Sequence, residues 1–124
     1  MWLRKPSRGN EYWPHGAFQS FTFANQVTRN YTFNTQLQPV EIKDTLNGSQ
    51  LLDLQYFYGG STTLGGSSAA NNGSPTQTVE SASRGGLNYS FTQTNHYDGL
   101  NRLTSASDSG GWSHNYGYDN FGNM

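Results

Sequence analysis

Apolar and polar positions alternate with a period of two in four stretches of the chain, and each stretch ends in an aromatic residue: Val27 to Phe33, Leu52 to Tyr58, Phe91 to Tyr97 and Trp112 to Tyr118. Every second residue gives the sets Val27, Arg29, Tyr31, Phe33; Leu52, Leu54, Tyr56, Tyr58; Phe91, Gln93, Asn95, Tyr97; and Trp112, His114, Tyr116, Tyr118. The residues between them are polar, with Phe57 the exception. Side chains two apart on a strand share a face. The spacing therefore predicts four strands, each with an aromatic face turned inward and a polar face turned outward.

A turn former follows each closing aromatic: Asn34, Gly59, Asp98 and Asp119. Asn and Asp side chains bond the backbone two residues on, and Gly tolerates positive φ. The run Asp108-Ser109-Gly110-Gly111 predicts a hairpin between Leu103–Ala106 and Trp112–Tyr118. An earlier, weaker copy starts at Tyr12-Trp13-Pro14-His15-Gly16-Ala17 and continues through Phe21 and Phe23. The closing aromatics Tyr12, Phe33, Tyr58, Tyr97 and Tyr118 are spaced by 21, 25, 39 and 21 residues. This is a unit of about 20 residues with insertions in the middle copies. The stretch 59–75, GGSTTLGGSSAANNGSP, accounts for the longest spacing and reads as a flexible Gly/Ser/Asn-rich insert. The organisation expected is a disordered N-terminal segment over 1–11 and degenerate β-repeats over 12–124.

Composition sharpens this picture. Asn, Gln, Ser and Thr make up 47 of the 124 residues, with 15 Gly, a mixture suited to turns and solvated sheet faces and poor for helices. Charged residues are only 12 %, yet aromatics reach 15 % and the net charge is −1, which argues against a disordered chain. That charge gives no electrostatic case for nucleic acid or an anionic membrane. Arg4, Lys5 and Arg8 form only a loose basic end. There is no cysteine, hence no disulfide, and no apolar run long enough for a membrane span or a secretory signal peptide.

The segment Tyr97-Asp98-Gly99-Leu100-Asn101-Arg102-Leu103-Thr104-Ser105, followed by Tyr116-Gly117-Tyr118-Asp119-Asn120-Phe121-Gly122-Asn123, resembles the YD-repeat signature of Rhs proteins. That signature runs Tyr-Asp, two residues, Gly, Arg or Asn, Leu, and then Tyr-x-Tyr-Asp about 20 residues on. Asn101 stands where the family has Gly, and Asn also tolerates the left-handed conformation. Phe33-Asn34 and Tyr58-Gly59 depart from Tyr-Asp. The resemblance marks Tyr97, Asp98, Asn101, Arg102, Leu103, Trp112, Tyr116, Tyr118, Asp119 and Gly122 as repeat-signature residues with a structural role. It implies an all-β fold of antiparallel strand-turn-strand repeats, part of a β-shell or sheet spiral. It also implies a secreted or cell-surface parent, such as a toxin whose shell encloses an effector. The core region that follows such repeats, with its self-cleavage aspartates, is not visible, so the array is expected to be truncated at its C-terminus.

Candidate chemistry is sparse. His15, His96 and His114 are isolated, without the neighbouring ligands of a metal site. Asp98 and Asp119 could be a carboxylate pair, but their equivalent turn positions explain them better. Glu41, Asp44, Asp53, Glu80 and Asp108 have no apparent partner. No serine sits in Gly-x-Ser-x-Gly, and the Gly-rich insert lacks the Gly-Lys-Ser/Thr ending of a phosphate loop. Asn30, Asn47, Asn72 and Asn88 match the glycosylation pattern, as chance allows in such a composition. The chain is thus expected to be a non-catalytic structural segment without cofactor or metal, partnered by neighbouring repeats and by an encapsulated effector. The alternative is a carbohydrate-binding or adhesion module, in which Trp112, Tyr116, Tyr118 and the Asn-rich turns meet a cell-surface carbohydrate.

Overall fold

A computed structural model describes residues 10–124. Arg4, Lys5, Arg8 and most of the expected disordered segment lie outside the described residues. Within that segment, Glu11 already opens a strand. The described residues form nine strands: β1 (Glu11–Tyr12), β2 (Phe18–Thr22), β3 (Thr28–Phe33), β4 (Pro39–Leu46), β5 (Ser49–Tyr58), β6 (Pro75–Arg84), β7 (Leu87–Tyr97), β8 (Leu103–Asp108) and β9 (Ser113–Asn115). They make one antiparallel sheet in chain order, β1 to β9, and no described residue is helical. The fold is all-β. Each strand packs only against the strands before and after it.

The register explains why the alternation was visible. Residues directly opposite in an antiparallel pair share a face. One row across the sheet runs Phe21, Arg29, Asp44, Leu52, Ala82, Tyr89, and the next runs Tyr31, Ile42, Leu54, Glu80, Phe91. The aromatic sets therefore line up on a single face. The reverse face carries the rows Asn30, Lys43, Asp53, Ser81, Ser90 and Thr32, Glu41, Gln55, Val79, Thr92.

Three expectations need correction. The aromatic face is not turned into an interior, because among the described residues no second layer covers it. Tyr31, Leu52, Leu54, Tyr56 and Phe91 are half-buried by their own in-face neighbours, while Tyr89 (50 %) and Trp112 (49 %) are exposed. Among the described residues the buried apolar ones are Val40, Phe57, Tyr58 and Ala106, with Val40 at 2 % exposure. Phe57, the odd residue on the polar face, is thus among the best buried. The second correction is that the last alternating stretch, Trp112 to Tyr118, is regular strand only over Ser113–Asn115. Tyr116 still donates its N–H to the Thr104 carbonyl at 2.9 Å. The third concerns the insert, which begins as expected but ends one residue earlier, because Pro75 opens β6.

Two connections are two-residue turns, Asn47-Gly48 (φ 51° and 81°) and Gly85-Gly86 (φ 59° and 83°). Positive φ at both central residues is the mirror-image turn that matches the twist of paired strands, and Asn-Gly and Gly-Gly are the sequences that reach it cheaply.

A sheet without a second layer holds each strand only through its neighbours, so protection should fall from centre to edges. In native-state hydrogen exchange we expect Ser49–Tyr58 and the amides of β6 to exchange slowest, and β1 and β9 first. Uniform protection across all nine strands would show that the sheet opens as one unit and contradict this picture.

Candidate functional site

A meander alternates its turns between two rims. On the first rim lie the turns 13–17, 34–38, 98–102 and 119–123 and the long loop 59–74; on the second lie 23–27, 47–48, 85–86 and 108–112. Six of these turns share one five-residue geometry. The first residue donates its N–H to the carbonyl of the fifth, and the fourth donates to the carbonyl of the first. The fourth residue has positive φ: Gly16, Gln26, Leu37, Asn101, Gly111 and Gly122. This is a three-residue hairpin loop in which a left-handed residue closes a bulge. Asn101 adopts φ 62°, the conformation its position requires.

In four of the six turns the first residue is Asn34, Asp98, Asp108 or Asp119, and its Oδ1 accepts the N–H of both the third and the fifth residue at 2.8–3.0 Å. One carboxylate or amide oxygen thus satisfies two turn donors that would otherwise depend on water. These bonds hold the carboxyls of Asp98 and Asp119 below the ordinary value of 3.8. The leading causes are the Arg102 N–H for Asp98 and the Asn123 side chain for Asp119. Both aspartates are therefore committed to their own turns. Asp108, for which the sequence offered no partner, is likewise a turn cap.

A second device recurs on the first rim. Tyr58, Tyr97 and Tyr118 each stand directly before a rim connection. Each donates its hydroxyl to the backbone carbonyl that opens the preceding strand: Pro39 at 2.8 Å, Pro75 at 3.0 Å and Leu103 at 2.7 Å. Burial pushes Tyr58 and Tyr97 above the ordinary phenol value, which keeps the donating proton in place. Phe33 occupies the equivalent position without a hydroxyl. There Trp13 donates Nε1–H to the Tyr31 carbonyl at 3.0 Å, and Trp13 and His15 pack edge-on against the Phe33 ring.

The signature residues separate into two places. Tyr97, Asp98, Asn101, Arg102, Leu103, Tyr118, Asp119 and Gly122 meet at one corner of the first rim. Arg102 organises that corner: Nε donates to Asp98 Oδ2 at 2.7 Å, and the guanidinium lies 4.5 Å over the Tyr118 ring. Gly122 lies beside the same guanidinium, so that a β-carbon there would sit 3.9 Å from it. Trp112 and Tyr116 lie elsewhere, on either side of β9. Trp112 stacks on His114 (6.1 Å between centroids, 8° between planes), and His114 meets Tyr116 at 4.8 Å. This ladder runs along an edge strand and is largely exposed.

Several residues lacking an apparent partner in the sequence do have one. Arg29 grips Asp44 with two parallel bonds, Nε to Oδ1 at 2.7 Å and a terminal nitrogen to Oδ2 at 2.6 Å. Lys43 lies between Glu41 (2.9 Å) and Asp53 (3.6 Å). The signal was present: opposite charges at polar and aromatic positions of strands that pair directly. Reading it required the register. The insert 59–74 also folds back on the sheet instead of hanging free. Ser68 donates to the Gly59 carbonyl at 2.8 Å, and Asn71 and Gln38 exchange side-chain hydrogen bonds at 2.7 and 3.1 Å. Gly59 permits this approach, since a β-carbon there would stand 2.6 Å from the Asn71 nitrogen. Among the described residues no three His, Asp or Glu side chains gather as a metal site. No family model, curated protein or solved structure matches the chain.

The tyrosine bonds should be measurable one at a time. Tyr97→Phe removes a half-buried hydroxyl hydrogen bond and should cost about 1 kcal/mol in urea unfolding; an unchanged midpoint would mean that the bond contributes nothing. The turn carboxylates set an acid limit. Their folded values lie below 3.8, so their stabilisation is complete above that value and is lost as pH falls through the folded values. Asp53, raised by burial, contributes with the opposite sign, since its charged form is the disfavoured one. We expect Asp98→Asn to flatten the acid limb of a stability-versus-pH curve, because Asn keeps the cap and loses the titration. A limb as steep as that of the parent chain would assign the loss to other groups.

Proposed function

We propose that this chain is structural material: a stretch of β-wall made of degenerate YD-type repeats of about 20 residues, belonging to an exported, cell-surface or toxin-delivery protein of the Rhs type. In this reading it performs no catalysis and needs no cofactor; its partners are neighbouring repeats and an encapsulated effector. The observation that carries the reading is the recurrence, on one rim, of a tyrosine clamped to the preceding strand at Tyr58, Tyr97 and Tyr118, followed at Tyr97 and Tyr118 by an Asx-type turn. A device of this kind fixes each hairpin to the one before it and asks nothing of any other layer, as an extendable array requires. Among the described residues the outer edges of β1 and β9 pair with no strand, which fits the same role, since an unpaired strand edge is a template for further strands.

A second reading has one observation in its favour. The largely exposed Trp112–His114–Tyr116 ladder offers a continuous aromatic strip for stacking on a cell-surface carbohydrate.

The two readings diverge experimentally. Tyr116 N–H points at β8, so alternation turns the N–H of Asn115 to the free edge. If β9 accepts further strands, the purified chain should associate with rising concentration in light scattering, and Asn115→Pro should suppress that association without unfolding the sheet. A parent chain that stays monomeric at all concentrations argues against the wall. Saturable, sugar-dependent quenching of tryptophan fluorescence, lost in Trp112→Ala, would establish the carbohydrate reading instead.

A further inference from the structure

On the polar face of the sheet, Lys43 of β4 and Asp53 of β5 are direct partners across the ladder. Lys43 Nζ is 3.6 Å from Asp53 Oδ2 and 2.9 Å from Glu41 Oε1. Glu41 precedes Lys43 by two residues and shares its face. The Asp53 side chain is only 7 % exposed. Its Oδ2 accepts a hydrogen bond from Gln55 Nε2 at 3.1 Å, while its Oδ1 is buried with no partner at all. The strands on either side bring no other charge to this face: β3 places Asn30 opposite Lys43, and β6 places Ser81 opposite Asp53.

We propose that Lys43 and Asp53 condense into an amide that cross-links β4 to β5, with Glu41 carrying the protons. A primary amine, a desolvated carboxyl group and a second carboxylate on the amine are the groups this condensation needs. The amine nitrogen stands 3.6 Å from carboxyl oxygen Oδ2, and attack requires it to close to about 3–3.5 Å from Cγ. Gln55 is placed to donate to the oxygen that takes up negative charge as the tetrahedral intermediate forms.

The step balances without oxidant or co-reactant. One proton passes from the Lys43 ammonium through Glu41 to Asp53, leaving a neutral amine and a carboxylic acid. The nitrogen lone pair attacks Cγ and forms the C–N bond. A second proton passes from nitrogen through Glu41 to Oδ1, the Cγ–Oδ1 bond breaks, and one water leaves. Glu41 ends in the charge state in which it began. Burial holds the Asp53 carboxyl above its ordinary value, toward the neutral acid that this chemistry consumes. The hydrogen bond to Glu41 favours the Lys43 ammonium, so the neutral amine is a minor species and the reaction is slow beside folding.

The product fits the site better than the ion pair does. An ion pair leaves Oδ1 buried and unsatisfied, a standing cost for a polar atom. The amide discards one carboxyl oxygen, keeps Oδ2 as a carbonyl accepting from Gln55, and keeps one N–H to donate to Glu41. Every remaining polar atom then has its partner. The inference rests on the β4–β5 register alone and is independent of the wall reading.

Mass spectrometry of the purified full chain decides it. The β-folded species, isolated by size exclusion and checked by circular dichroism, is incubated until its mass is constant. We expect the intact mass to fall by one water. Trypsin should then fail to cleave after Lys43, and the Asn30–Arg84 peptide should appear lacking one water, with fragment ions joining Lys43 to Asp53. Lys43→Arg should keep its full mass. Glu41→Gln should slow the loss about a hundredfold, as removal of a general acid–base does. Asp53→Asn should still cross-link, with loss of ammonia in place of water. Full mass in the folded parent chain overturns the proposal. So does a water loss that persists in Lys43→Arg, which would reveal a cyclised aspartate elsewhere.

Discussion

Among the described residues the strands form a single layer, and this is the constraint on which the rest of the structure depends. A sheet that packs against nothing cannot hide an apolar face, so each strand must find its stabilisation in the two strands beside it. The side chains reflect this. Few apolar residues are deeply buried, and the aromatic rows are half-covered by one another. Cross-strand contacts within a face, aromatic against aliphatic and charge against charge, take over the work of a core. The paired grip of Arg29 on Asp44 shows how far this goes, since it places an ion pair with a buried carboxylate and a half-buried guanidinium in the apolar face. A planar guanidinium matched to a carboxylate is the pairing that best withstands such a position.

The same constraint explains the effort spent at the rims. Hairpins in a layered domain are steadied by the layer beneath them, whereas here a turn must be rigid by itself. The Asx oxygen that accepts two N–H groups provides that rigidity locally, and the tyrosine hydroxyl ties the end of one strand to the start of the strand before it. Arg102 joins the two devices, bonded to the turn carboxylate and lying over the tyrosine of the next copy. Leu37 shows the cost of breaking the pattern: it takes the left-handed position at φ 61° without the tolerance of Gly or Asn, and the amides of Asn34, Gln38 and Asn71 gather around that turn.

Much of this was legible in the sequence, and the parts that were not share a cause. The aromatic-ending strands could be read because alternation leaves its mark even when the face is only half-buried. β6 could not, since PTQTVESASR carries one large apolar residue and its partners lie on both sides of a polar row. The turns at Asp98 and Asp119 were readable from residue type, because the cap is made within five residues. The Lys43–Asp53 and Arg29–Asp44 pairs were not, because which residues face each other depends on bulges at Thr32/Phe33 and Asp44/Thr45 that no periodicity announces. The inward direction assigned to the aromatics failed for a different reason: alternation reports that two faces differ, and says nothing about whether anything lies on top of one.

The alternation of the connections between two rims carries a rule of parity. Tyrosine clamps and long-range amide contacts are found on the first rim, while the second has two tight two-residue turns. Gaining or losing a single strand would reverse the direction of every strand beyond it and exchange the two rims. Gaining or losing two leaves each later residue on its own side with its own neighbours. Such a chain can change length only in even steps, with the hairpin as its smallest heritable unit.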